Sequence, residues 1–278
     1  MTNLTPERLR TPEFWQKLLD LTATSSQMPL DETPVAVDLP AVSAHFWQHG
    51  YAVFRGTDHF PQRALAAIAN RLHGAGIPAV FLFLDRRAWQ AFAPLRPVLQ
   101  YFLGSSPALL PHLWAWYVTP EVGQTGWPRH RDYEGDSIVR PAGEPQAISL
   151  SAWLALSDVD LSNAPLYVEP LSTPDRPVAI SGKAGTMAIW RQDLWHFSGA
   201  MATTARGPRI SLSLEFQNPV FEPSASPLLD PTRPPPWQHR LDLIMAQLRA
   251  YKSFENIDPA WLKIADHWQP HCHATFSR

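Results

Sequence analysis

Arg209-Ile-Ser-Leu-Ser-Leu-Glu-Phe216 alternates polar and apolar side chains along its length. Successive side chains of a strand point to opposite faces, so Ile210, Leu212, Leu214 and Phe216 form an apolar face while Arg209, Ser211 and Ser213 share the other. Working back from this run, short strands are expected at residues 79–84, 113–118, 147–156, 165–168, 178–181 and 186–190. Turn signals such as Pro141-Ala-Gly143 and Ser181-Gly-Lys-Ala-Gly185 separate them. Many short strands spaced by turns argue for an antiparallel barrel or a double-sheet jelly roll. No helix of adequate length lies between them, as a parallel doubly wound sheet would require.

The flanks read differently. Helices are expected at residues 11–22, with Thr11 as N-cap and a proline just inside, and at 39–49, ended by Gly50 and leading into a strand at 51–54. A third helix is expected at 61–72. Seven prolines between Pro219 and Pro236 cannot support a central strand and read as an extended wrap. Helices at 238–252 and 259–267 follow. The expected class is therefore α+β with a mainly β core, a double-stranded β-helix (jelly-roll, cupin-like) with N-terminal and C-terminal helices packed on one sheet. One domain over 1–278 is the simplest organisation: a scaffold at 1–77, a core carrying the site at 78–217, and the wrap and helices at 218–278.

Composition limits what such a core can serve. The 278 residues are 45% hydrophobic, ample for a buried interior. A net charge of -2 gives no general attraction to nucleic acid or an anionic membrane. The single cysteine, Cys272, allows no internal disulfide. The amino terminus lacks the basic start and apolar run of a secretory signal, and no stretch approaches the ~18 apolar residues of a membrane span. These features read as a soluble cytoplasmic protein; its oligomeric state is left open. The 12 tryptophans and 29 prolines point to aromatic-lined surfaces and turns rather than to a helical bundle.

The chemistry-bearing residues fall inside the strand region. His130 and Asp132 stand two apart, the spacing that puts two side chains on one face of a strand. By itself the pair is close to chance in a chain with 11 histidines and 25 acidic residues. Its setting adds weight: Thr125-Gly-Trp-Pro-Arg129 is a turn-forming approach, and Gly185-Thr-Met-Ala-Ile-Trp190 is a glycine turn and strand that lead to His196. Two histidines and one carboxylate form the ligand set of a mononuclear non-haem Fe(II) site, with positions left open for a co-substrate and oxygen. Arg209 heads a polar strand face and needs an anion, because a buried unpaired guanidinium is costly. The anion is either a protein carboxylate, with Glu215 a local but badly placed candidate, or a small dicarboxylate held in a bidentate clamp. Arg206 competes for the second role but lies in a turn.

These residues, with His49-Gly-Tyr-Ala-Val-Phe54, Ser151-Ala-Trp-Leu-Ala-Leu-Ser-Asp158, Asn163-Ala-Pro-Leu-Tyr-Val-Glu-Pro170, His196-Phe-Ser-Gly199 and Pro208-Arg-Ile-Ser211, resemble the phytanoyl-CoA dioxygenase-like branch of the Fe(II)/2-oxoglutarate oxygenases. The likeness covers residues 46–216. It implies Fe(II) ligation by His130, Asp132 and His196, and 2-oxoglutarate held by Arg209 and Ser198, with Trp153 lining the co-substrate pocket. It further implies O2-dependent hydroxylation, desaturation or ring closure of a small organic molecule, with 2-oxoglutarate converted to succinate and carbon dioxide. The retained carboxylate argues against halogenation, since related halogenases carry glycine or alanine there. Two departures stand out: Ala164 follows Asn163 where glycine is usual, and Leu171-Ser-Thr173 replaces a Gly-Ser-His sequence, so no substrate can be borrowed. An amino acid derivative or secondary metabolite is the preferred class. The alternatives are a cupin-like metal-containing binding protein and a jumonji-like protein hydroxylase, which binds its co-substrate through a lysine. His267, His271, Cys272 and His273 read as a loose tail without a role.

Overall fold

The computed structural model describes residues 5–19, 33–55, 60–271 and 273–276. In chain order the elements are α1 (Pro6–Leu9), α2 (Pro12–Leu19), α3 (Leu39–His49), β1 (Tyr51–Phe54), α4 (Phe60–Gly74), a 3-10 helix (Ala79–Leu84), α5 (Arg86–Trp89), α6 (Arg96–Leu103) and β2 (Ala108–Val118). Then come β3 (Ile138–Val139), β4 (Gln146–Ala147), β5 (Ser149–Ala155), β6 (Leu166–Val168), β7 (Val178–Ile180), β8 (Met187–Arg191), β9 (His196–Ser198), β10 (Arg209–Gln217) and β11 (Ala225–Ser226). The chain closes with α7 (Trp237–Ala250), α8 (Pro259–Asp266) and β12 (Thr275–Phe276). None of the described helices is long and apolar enough to cross a membrane.

Two antiparallel sheets carry the interior, with strand orders β1-β8-β5-β10-β2 and β7-β6-β9. Ile210, Leu212, Leu214 and Phe216 of β10 join Leu150, Ala152 and Leu154 of β5 on the outer face of the larger sheet, where the helices pack through Phe46, Leu65, Phe81 and Leu248. The opposite face turns inward. There Trp153, Ala155, Ala188 and Trp190 meet Leu166, Val168 and Ile180 of the smaller sheet. Strict alternation thus divides each central strand between a dry helical layer and an inter-sheet space.

Local chemistry fixes the joints. Asp38 caps α3 through the Ala41 amide at 3.2 Å, and Gly50 ends it in the left-handed region at φ 86°. A Cβ at Gly50 would also stand 2.9 Å from Leu194 Cδ1, so both backbone and space require glycine there. The chain runs straight into β1, paired from Tyr51↔Trp190 to Phe54↔Met187.

Several expectations need correction. Residues 79–84 are a 3-10 helix, not a strand; Val80 to Leu84 are all buried, and an apolar run without alternation carries no period to separate the two. β2 starts at Ala108 rather than 113, carrying Pro111 on an edge strand where its missing N–H is tolerated. Its register with β10 shifts between Leu214 and Phe216, and Gln247 of α7 donates to the Pro111 carbonyl at 2.9 Å. β9 and β11–β12 are too short to carry a sequence pattern. The first expected helix is seen as Pro12–Leu19, and residues 20–22 lie outside the described ones. The helices at 61–72, 238–252 and 259–267 are seen as α4, α7 and α8, within two residues at each end.

Leu212 is fully buried at the centre of the larger sheet, opposite Leu154 and Ala115. Leu212→Ala is expected to lower the unfolding free energy by about 2–5 kcal/mol in a denaturant titration. A loss below about 1 kcal/mol would contradict the packing described.

Candidate metal and co-substrate site

The two segments that bear histidines are stitched together before any side chain is considered. His130 and His196 form an isolated antiparallel bridge, each amide donating to the other's carbonyl at 3.0 Å, and Ser198 N–H donates to Trp127 O at 3.0 Å. Trp195 sits against both Arg129 and Arg131, whose guanidinium carbons lie 3.8 and 4.6 Å from its ring centroid. Arg129 is itself held by Glu169 at 2.6 and 2.7 Å. His130 therefore makes a single bridge and Asp132 lies in a bend, not on one face of a regular strand as the spacing suggested.

Each candidate ligand is fixed at the atom turned away from the centre. His130 Nδ1 donates to Pro128 O at 2.6 Å and His196 Nδ1 to Leu194 O at 3.0 Å. A carbonyl can only accept, so Nδ1 carries a proton on both rings and Nε2 is the nitrogen turned toward the centre. Asp132 Oδ2 accepts from Ser151 Oγ of β5 at 2.6 Å and from Trp190 Nε1 of β8 at 3.0 Å. Its Oδ1 lies 3.5 Å from His130 Nε2 and 3.5 Å from His196 Nε2. The three ligand atoms fall within 4.8 Å of one another, and no other such group is seen among the described residues. Burial works to protonate Asp132, and the two imidazoles override it, holding the carboxyl well below its usual range. Burial likewise works against charge on His196, yet Asp132 lifts its pKa above the ordinary value.

Beside this centre lies a narrow chamber lined by Trp116, Trp153, Ser198, Arg209 and Ser213, among others. Arg209 is 2% exposed and makes no ion pair with a described residue. Desolvation pulls its guanidinium down to about 10, only partly offset by Glu255. Glu215, the carboxylate considered for it, instead accepts from His112 and Gln192. Gly126 lets Arg209 and Ser198 share one spot: a Cβ there would lie 2.5 Å from Arg209 Nη2 and 3.1 Å from Ser198 Oγ. Ser198 Oγ already accepts from Gly126 N–H at 2.9 Å. Four buried polar atoms of lining residues find no partner: His130 Nε2, Arg209 Nε, Trp114 Nε1 and Trp116 Nε1. Such orphans are rare in a folded interior and fit a site that receives a cation and an anion. Arg206 is exposed, and no lysine lines the chamber.

Trp153 lines the chamber. The sequence reading did not single out Ser151, although it shares a strand face with Trp153, nor Gly126, Glu215, His112 or Tyr251. Tyr251 follows the last residue of α7, far from any motif. Burial first, then the Glu215 and Asp132 carboxylates, push its hydroxyl well above the usual range. Burial works to deprotonate His112 too, and the Glu215 carboxylate overrides it, leaving the imidazole pKa raised. Ala164 adopts φ 56°, the left-handed region where the related pattern has glycine. Asn163 braces that turn, accepting from Asp160 N at 2.8 Å and donating to Asp158 O at 2.8 Å. At the carboxyl end His267 donates to Lys263 O, and His271 meets Arg10, so these two do not converge on one ion. Cys272 lies outside the described residues.

The sequence matches no protein-family model and no curated protein. Solved structures do match. The crystal structure of EctD from S. alaskensis with 2-oxoglutarate and 5-hydroxyectoine superposes with a TM-score of 0.51 at 20% identity, over 78% of this chain and 87% of that one. HygX from Streptomyces hygroscopicus with nickel and 2-oxoglutarate bound gives 0.51 at 14% identity, over 67% of this chain and 89% of that one. At these identities the likeness is one of fold.

Ser151→Ala removes one of the two donors that hold Asp132 Oδ2. Its affinity for Mn(II) or Co(II), measured by calorimetry, is expected to fall about 10- to 100-fold. An unchanged affinity would remove Ser151 from the support of the site.

Proposed function

We propose that the chain is an Fe(II)/2-oxoglutarate-dependent dioxygenase on a double-stranded β-helix, one domain organised as scaffold, core and C-terminal wrap, that hydroxylates, desaturates or cyclises a small organic substrate. The observation that carries this is the buried, unpaired guanidinium of Arg209 in the same chamber as three converging ligand atoms. Both fold neighbours hold 2-oxoglutarate in their structures. The phytanoyl-CoA dioxygenase-like assignment within this class rests on the sequence motifs.

His130, Asp132 and His196 would hold the iron, and Arg209 with Ser198 the distal carboxylate of 2-oxoglutarate. Iron(II) and 2-oxoglutarate bound there would supply dioxygen activation coupled to oxidative decarboxylation, giving succinate and carbon dioxide. The protein's own share is positional and electrostatic. Pro128 O and Leu194 O fix both imidazole tautomers, Ser151 and Trp190 leave Asp132 Oδ1 free to ligate, and Trp116 and Trp153 keep the chamber dry around the guanidinium. A dry chamber strengthens a bidentate arginine–carboxylate pair. A binding protein with a structural metal has no use for an unpaired buried cation at this depth, and a jumonji-like hydroxylase would call for a lysine that the lining lacks.

Anaerobic titration of the Fe(II)-loaded protein with 2-oxoglutarate is expected to give one site per chain. Arg209→Ala is expected to weaken it by about 100-fold, the worth of two charge-assisted hydrogen bonds. Absence of binding to the unaltered protein would overturn the reading. Asp132→Gly is expected to lower product formation strongly in a succinate assay, and undiminished turnover would strike Asp132 from the ligands.

A further inference from the structure

On the open side of the metal ligands lies a second, larger space of about 1170 Å³, continuous with solvent and lined by His112, Trp127, Glu215, Arg249, Tyr251 and Phe254. His130, Asp132, Trp127, Glu215 and Tyr251 line both this space and the inner chamber. Arg209 and Glu215 occupy the same face of β10, six positions apart. One strand face thus presents a cation in the inner chamber and a carboxylate toward the outside.

Glu215 is held firmly by one oxygen only. Its Oε2 accepts from His112 Nδ1 at 2.7 Å and from Gln192 Nε2 at 2.6 Å, and Gln192 Oε1 in turn accepts from Ser149 Oγ at 2.5 Å. His112 belongs to the stretch of β2 where the register with β10 shifts, the kind of irregularity that re-aims a side chain beside a site. Glu215 Oε1 accepts no hydrogen bond from a described residue. Nor does the Tyr251 hydroxyl make one, although the Tyr251 ring is set between Trp127 and Trp114 at centroid distances of 4.5 and 5.2 Å. Phe254 adds another aromatic wall, its ring 5.7 Å from His130 and 5.4 Å from Trp127. Arg249 donates to Ala265 O at 2.9 Å and has no carboxylate within 4.0 Å among the described residues. Arg131, the other cation here, is already paired with Glu134.

We propose that this outer compartment takes a zwitterionic small molecule of the amino acid type with a flat aromatic body. Its amine is read by Glu215 Oε1 and the Tyr251 hydroxyl, its acid group by Arg249, and its ring by Trp127, Tyr251 and Phe254. The inference rests on the oxygenase reading, since it supplies the substrate for that site. A carboxylate whose second oxygen is locked by two donors cannot rotate to serve an acceptor, so it selects for a donor. An arginine without a protein anion at the mouth selects for an acid. A contiguous wall of three aromatic rings, Trp127, Tyr251 and Phe254, favours an aromatic body laid against it.

Four indoles test this by subtraction: tryptophan (amine and acid), tryptamine (amine), indole-3-propionate (acid) and 3-methylindole (neither). Each is titrated calorimetrically and anaerobically into protein saturated with Mn(II) and 2-oxoglutarate, so the inner carboxylate site is already filled. Tryptophan is expected to bind at least about tenfold tighter than either half-probe, and 3-methylindole weakest, as each charge-assisted contact predicts. Glu215→Gln should remove tryptophan's advantage over indole-3-propionate, and Arg249→Ala its advantage over tryptamine. Tyr251→Phe, the mildest change, should cost only the two amine-bearing probes, by about fivefold. Affinity for 2-oxoglutarate, read on the same samples, should stay unchanged in Arg249→Ala, whose side chain lines only the outer compartment. Equal binding of the four probes, no binding of any, or an advantage that survives the variants overturns the proposal while leaving the oxygenase reading intact. Failure to bind 2-oxoglutarate with Mn(II) in the unaltered protein overturns both.

Discussion

Asp132 is a buried carboxylate with its two oxygens in different employment, and much of the architecture follows from satisfying it. Oδ2 is tied to Ser151 on β5 and Trp190 on β8, adjacent strands of the larger sheet. Oδ1 faces two imidazoles, one of which begins β9 of the smaller sheet. The carboxylate is therefore the point where the two sheets are joined by polar contacts, inside a space otherwise filled by tryptophan and aliphatic side chains. A charge in such a place persists only when its partners are organised around it. The His130–His196 bridge and the Trp195 stack on two arginines supply that organisation from the backbone outward.

The same logic runs along β10. Its apolar face is buried under helices and closes the core, which leaves the other face free to carry Arg209, Ser211, Ser213 and Glu215 into the inter-sheet space. Rigid strand geometry holds the two charges at opposite ends of one row. The two compartments share His130 and Asp132, so an anion in the inner one and a small molecule in the outer one would meet at the same candidate centre. Pre-organised charge of this kind costs stability in the empty protein and favours whatever ligand neutralises it.

The central strands were legible in the sequence because their alternation is enforced by two different environments on their two faces. His130, Asp132 and His196 were brought together by the resemblance rather than by spacing, which for the first two is close to chance, and Arg209 was singled out by the cost of burying an unpaired guanidinium. The geometry behind them was not legible. His130 and Asp132 are brought into line by an isolated bridge and a bend, which leave no periodic trace, and β9 is three residues long and starts on the histidine itself. Residues 79–84 misled because burial on all sides erases the alternation that distinguishes a strand. Tyr251 and Phe254 had no signal, since their place beside the candidate ligands depends on how α7 packs against β2. Ser151 could have been found by counting two back from Trp153 along the same face.

The claim on which the rest stands is that His130, Asp132 and His196 hold one metal ion between them. X-ray absorption on protein loaded with one equivalent of Fe(II) tests it most directly. The account predicts two imidazole ligands per iron, falling to one in His196→Ala and in His130→Ala alike. A coordination shell without imidazole, or one unchanged by either substitution, would contradict it.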